Sequence, residues 1–279
     1  MPLTPTGEIV AAAFTAHRGV GAFNVIQLEH AEALVAGAEA AGAPVILQIS
    51  ENAVRYHGAL APIALATLAI ARSSSVAVAV HLDHAKDRAL VTEAVAFGVG
   101  SVMFDGSELP YDANVAATSE VVAQCHAAGV FVEAELGEVG GKDGVHAPGV
   151  RTVPSAGRAF VEATGIDALA VAVGTSHAMT TKEASVDLEL IAEHRAITTV
   201  PLVLHGSSGV PDAQLSAAVR AGMTKINLAT GLNVAFTRAV RAYLEANPAT
   251  VDTRKYLAPG RAAVAAEVER LLRDVLLAV

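Results

Sequence analysis

The chain has one cysteine in 279 residues, no block of lysine or arginine, and no apolar run long enough to cross a bilayer. A lone cysteine excludes a disulfide framework and a thiolate metal cage; Cys125 lies in a helix-like stretch, Glu120 to Ala127, and reads as a buried, inert thiol in a reducing compartment. Basic residues number 19 against 28 acidic ones, a formal charge of −9, so the electrostatic footprint of nucleic-acid binding is missing and no such partner is expected. The first ten residues carry Pro2, Pro5 and Glu8 and no apolar core behind a basic segment, so no secretory signal is read there and a cytoplasmic location is expected. The longest apolar run, Ala59 to Ala71, is interrupted by Pro62 and too short to span a membrane, so no membrane partner is expected either. A Gly-rich dinucleotide turn is also lacking, because the first strand-like segment ends in Phe23-Asn24-Val25.

What remains is ample apolar material, 53% of the chain against 17% charged, in a regular alternation. Eight short, β-branched runs read as strands: Val20–Val25, Val45–Ile49, Val76–Leu82, Ser101–Phe104, Phe131–Leu136, Ala168–Val173, Leu202–Leu204 and Lys225–Leu228. Alanine-rich stretches of helical spacing lie between them, and the tail from Val234 reads as helices around a break at Pro259-Gly260. Near-continuous apolar strands alternating with helices require a parallel sheet covered by helices. Eight such units in about 250 residues predict an α/β fold, a (β/α)₈ TIM barrel forming a single domain over 1–279 with extra C-terminal helices. An open doubly wound sheet is the alternative.

In such a barrel the chemistry belongs at the C-terminal ends of the strands. His84, His177 and His205 leave three different strands at that rim, where three neutral imidazoles can share one ion and leave a coordination position open. Each alone would read as an ordinary rim histidine; His17, His30, His57, His126, His146 and His194 do read that way, and His81 falls on the same strand face as Asp83. Asp83, beside a ligand candidate, suits a proton shuttle or a ligand-orienting role, and Glu135 suits either a metal oxygen ligand or a solvated rim carboxylate. Gly137 to Gly149, with Glu138, Lys142, Asp143 and His146, reads as a lid or a plain surface loop. Gly206–Gly209 and Asn227–Thr230 follow strands seven and eight, where backbone N–H groups and hydroxyls of this fold cradle phosphate.

The motifs His-Leu-Asp-His, Glu-Ala-Glu-Leu-Gly, Val-Gly-Thr-Ser-His, Leu-His-Gly-Ser-Ser-Gly and Lys-Ile-Asn-Leu-Ala-Thr, in this order, resemble those of class II, zinc-dependent ketose-bisphosphate aldolases. The resemblance runs from Ala22-Phe23-Asn24 to Asp252-Thr253-Arg254-Lys255-Tyr256-Leu257 and implies reversible aldol cleavage of a phosphorylated ketose to dihydroxyacetone phosphate and an aldehyde. It implies one Zn²⁺ per subunit on His84, His177 and His205, with Co²⁺, Fe²⁺ or Mn²⁺ as chemical alternatives, Glu135 meeting the metal in a second position, and a monovalent cation as a further cofactor. It gives Asp83 the hydroxyl proton and Asp143 the carbon-bound proton. Substrate contacts fall on Asn24, Ser50, Ala178, Gly206, Ser207, Ser208, Asn227, Leu228, Ala229 and Thr230, and a homodimer or homotetramer is implied.

Three residues depart from the family pattern: the lid reads Gly140-Gly141-Lys142-Asp143 without the usual Glu before Asp, Ala178 replaces a glycine, and Ala258 stands where relatives offer Arg or Lys to a distal phosphate. The last departure points to a ketose 1-phosphate rather than a bisphosphate, with Arg55, Lys142, Lys182, Arg254 or Lys255 as substitute cations. An isomerase or epimerase on the same zinc barrel, and a catalytically silent sugar-phosphate-binding protein, are the rival readings.

Overall fold

The computed structural model describes residues 3–136, 151–177 and 179–279. Eight parallel strands close on themselves in sequence order: β1 (Val20–Asn24), β2 (Val45–Ser50), β3 (Val78–Ala85), β4 (Ser101–Phe104), β5 (Phe131–Leu136), β6 (Ala168–Val171), β7 (Leu202–Leu204) and β8 (Met223–Leu228), with β8 pairing back to β1. Nearly every strand residue is buried because one face looks into the barrel and the other is covered by helices, which is why the strands read as unbroken apolar runs. The eight-unit alternation and the barrel are as the sequence predicts.

The covering helices are α2 (Leu28–Ala41), α4 (Ala61–Ser73), α5 (Arg88–Phe97), α6 (Tyr111–Ala127), α7 (Pro154–Thr164), α8 (Leu188–Ile197) and α9 (Asp212–Ala221). Carboxylates start two of them, Asp87 accepting from the Ala89 N–H and Asp187 from the Leu190 N–H. Two helices have no counterpart in the sequence reading. The N-terminal helix, α1 (Thr6–Ala16), brings Ile9, Val10 and Ala13 against Val20, Ala22, Ile46 and Ala79, closing the bottom of the barrel away from the strand C-termini. The short helix α3 (Glu51–His57) follows β2 directly and is capped by Ser50, whose Oγ accepts from the Ala53 N–H at 3.2 Å.

The tail corrects one expectation. It forms α10 (Thr230–Ala246), beginning before Val234, and α11 (Thr253–Arg270), with the reversal at Asn247–Asp252 and not at Pro259-Gly260. The second helix runs through Pro259 and ends in a π-helical turn, Leu271–Val275. Proline in a helix interior costs about 3 kcal/mol. Packing offsets it: α11 lies so close to α2 and α10 that a Cβ on Gly37 would stand 2.5 Å from the Ala265 carbonyl oxygen, and Gly260 leaves room for the Phe236 ring. Among the described residues no single helix is long and apolar enough to cross a membrane.

Candidate active site

The site begins with an irregularity in β3. Between Leu82 and Ala85 that strand advances three residues while β4 advances two, from Val102 to Phe104, and His84 takes a left-handed backbone with φ of 51°. Regular alternation would send Asp83 and His84 to opposite faces. The bulge turns both toward the cavity at the strand C-termini, and left-handed backbone at a non-glycine residue costs of order 1 kcal/mol or more, a cost typical of functional sites.

Asp83 is held by a relay of amides. Gln48 Nε2 donates to Asn24 Oδ1 at 3.2 Å, and Asn24 Nδ2 donates to Asp83 Oδ2 at 3.3 Å. The other oxygen, Oδ1, is buried and has no hydrogen-bond partner among the described residues. Burial alone would raise this carboxyl, but the electrostatic pull of His84, His205 and the Lys225 ammonium outweighs it and holds it at about 2, so Asp83 is an ionised acceptor at neutral pH.

The three rim histidines meet. Their ring centroids are 4.6 Å apart for His84 and His205, 5.3 Å for His84 and His177, and 5.8 Å for His177 and His205, and one nitrogen from each lies within 4.8 Å of the others. Two of the rings are oriented from outside: His84 Nδ1 is 3.0 Å from Asp105 Oδ2, and His205 Nε2 is 2.9 Å from Glu133 Oε1. Both outer nitrogens therefore carry protons. The inner ones, His84 Nε2 and His205 Nδ1, face each other at 2.9 Å with lone pairs, a repulsive arrangement that a shared cation relieves. The donor set thus fits a divalent metal. Glu135 joins a different group, with His84 and Asp105, whose ligand atoms also lie within 4.8 Å of one another.

A cavity of about 280 Å³ opens beside the histidines. Asn24, Ser50, Asp83, His84, His177, Gly206, Ser207, Ser208, Asn227, Ala229 and Thr230 line it. Gly206 is left-handed, with φ of 66°, and a Cβ there would lie 2.7 Å from the Ser176 carbonyl carbon, so only glycine fits this junction. The N-terminus of α10, at Thr230, brings the positive end of a 17-residue helix dipole beside Ser208, whose Oγ accepts from the Gly231 N–H at 3.1 Å, while the Leu232 and Asn233 N–H groups donate to the Ala229 carbonyl. Leu228 sends its side chain into the core instead. Asp143, Lys142 and the rest of the segment 137–149, and Ala178, lie outside the described residues.

Of the substitute cations among the described residues, Arg55 alone lines the cavity, together with Glu51, Asn52 and Lys86, which the sequence does not single out. Each cation already has a carboxylate: Arg55 pairs with Glu51, and Lys86 Nζ lies 2.6 Å from Glu108. Lys182 pairs with Asp212 and Arg254 with Asp252. The sequence reading also missed Asp105, Glu133 and Lys225. Asp105 follows the C-terminal end of β4, where the same rim position points to it, and Glu133 lies two residues before Glu135 on the same face of β5.

Fold and site together define a (β/α)₈-barrel enzyme with a histidine-centred cavity at the strand C-termini. The family model for class II fructose-bisphosphate aldolase matches residues 4–278. A fructose-bisphosphate aldolase of Geobacillus stearothermophilus is 39% identical over 278 residues, 98% of this chain and 97% of its own. The crystal structure of the YdjI aldolase from Escherichia coli K12 superposes with a TM-score of 0.85 at 28% identity, covering 99% of this chain and 98% of that one. The chain belongs to the class II fructose-bisphosphate aldolase family; it is a carbon–carbon lyase that catalyses reversible aldol cleavage.

Proposed function

We propose that this aldolase cleaves a ketose 1-phosphate to dihydroxyacetone phosphate and an unphosphorylated aldehyde. The observation that carries the reading is the single cavity joining three converging histidines, the open Oδ1 of Asp83 and the backbone cradle at Gly206–Ser208 and Thr230. His84, His177 and His205 would hold Zn²⁺, which supplies a Lewis acid that polarises the ketose carbonyl and offsets the charge left when the bond breaks.

The chain's own residues supply the proton chemistry. Asp83 accepts the proton of the hydroxyl on the carbon that becomes the aldehyde, while Gln48 and Asn24 keep its oxygen aimed. The carbon–carbon bond breaks and its electron pair stays with the three-carbon half. Asp143 then returns a proton to that carbon, and in condensation each proton moves the opposite way. The phosphate rests on N–H groups at Gly206–Ser208, Ala229 and Thr230, while Asn24, Ser50 and Asn227 face the sugar hydroxyls; the resemblance adds Ala178, outside the described residues, to the substrate contacts. Glu135, with His84 and Asp105, offers the ion a second position.

The preference for one phosphate follows from charge. Ala258 offers no cation, and Arg55 and Lys86, the cations of the described cavity lining, are each paired with a carboxylate, so a second phosphate gains little. From the family come the remaining parts of the proposal: one unit over 1–279, a homodimer or homotetramer, and a cytoplasmic location. Steady-state cleavage of ketose 1-phosphates and of fructose 1,6-bisphosphate tests the substrate assignment. Equal or higher kcat/KM is expected for a ketose 1-phosphate; a bisphosphate value far above that of every ketose 1-phosphate contradicts it.

A further inference from the structure

We propose that Glu133, backed by Lys225, is the positioning residue that fixes the tautomer of His205, so that Nδ1 presents a lone pair to the histidine cluster. The inference rests on the reading of that cluster as a metal site. Glu133 Oε1 is 2.9 Å from His205 Nε2, and Lys225 Nζ donates to Glu133 Oε2 at 2.7 Å, the whole group sealed inside the barrel. A carboxylate held this way can only accept, which places the imidazole proton on Nε2 and leaves Nδ1 bare.

The surroundings agree with that assignment. Asn227 Nδ2 lies 3.3 Å from the same His205 nitrogen, a donor facing a donor, while its own Oδ1 is buried with no partner among the described residues. Turning the amide over supplies a second acceptor for the Nε2 proton. On the far side, Thr6 Oγ1 donates to Ser101 Oγ at 2.7 Å, and Ser101 Oγ lies 2.8 Å from His81 Nδ1. Having accepted from Thr6, Ser101 gives its own proton to Nδ1, so His81 turns Nε2–H toward Glu133 Oε2 at 4.0 Å. Every group around Glu133 thus presents a donor to it. Packing alone does not call for such an arrangement, since apolar residues of similar volume usually replace a buried ion pair without loss of stability. What they cannot replace is the instruction to His205.

Two measurements test this. Long-range ¹H–¹⁵N spectra of the metal-free protein should show His205 as the Nε2–H tautomer; the Nδ1–H tautomer in the unaltered protein overturns the proposal. Cobalt(II) is then titrated into the unaltered protein, Glu133→Gln/Lys225→Met and Glu133→Leu/Lys225→Met, following the visible absorption bands and competition with a chromophoric chelator. The apolar pair should bind cobalt about 10- to 100-fold more weakly with altered bands, and the glutamine pair, which keeps an acceptor oxygen, should recover part of the loss. Cobalt affinity unchanged in the apolar pair overturns the inference alone. Failure of the unaltered protein to bind cobalt overturns the three-histidine reading and the inference with it.

Discussion

Asp83 gathers the features a proton acceptor needs: one oxygen fixed by Asn24, one buried and open, and neighbouring positive charge that keeps it ionised. Asp83→Asn keeps the shape and removes the acceptor, so kcat for cleavage should fall about a hundred- to ten-thousand-fold while bound metal, measured by elemental analysis, stays near the unaltered value. A second expectation at this scale concerns acid stability. Burial pushes His81 down to about 3, aided by the Lys225 charge, and burial also lowers His30 and His194. Such histidines stay neutral in the fold but take a proton when unfolded, so their contribution is complete above about pH 6.5 and declines as pH falls below it, approaching about 1.4 kcal/mol per pH unit for His81. Urea denaturation of the chelated protein between pH 7 and 5 should show this slope, made shallower in His81→Gln. The meeting of Asp83 and the three histidines at one rim was legible, because each lies at or soon after the C-terminal end of a strand. Their supports were not: Glu133 and Lys225 are paired across the barrel interior, and that closure is invisible along the chain.

At the scale of elements, small departures from regular geometry build the site. The β3 bulge aims Asp83 and His84 together, and period-two reasoning could not foresee it; only the His-Leu-Asp-His motif hinted that adjacent residues cooperate. Gly206 performs a similar service where β7 turns into the short 3₁₀ segment Ser207–Gly209. Gly206→Ala meets both a left-handed backbone and the Ser176 carbonyl carbon, so it should destabilise the fold by about 1–3 kcal/mol in denaturant titration and raise KM for the phosphorylated substrate several-fold. The helices α1 and α3 escaped the sequence reading for different reasons. The former is a plug specified by what the barrel floor lacks, and the latter is only seven residues long, too short for a periodic signal. Pro259 misled because the energy of packing α11 on its neighbours is a tertiary quantity that local propensity does not contain.

For the whole molecule, the barrel closure brings residues from β1 to β8 to one rim, so that a cluster spanning His84 to His205 and a cradle ending at Thr230 serve one cavity. That closure was foreseeable from eight alternating units, since a parallel sheet covered by helices on one face buries its other face by curling shut. The most direct test is proton exchange at the hydroxymethyl carbon of dihydroxyacetone phosphate in D₂O, followed by NMR with and without a chelator. Stereospecific exchange that the chelator abolishes, and that Asp143→Asn slows, is the expected result. No exchange in protein shown to contain metal and to bind dihydroxyacetone phosphate would contradict the proposed chemistry.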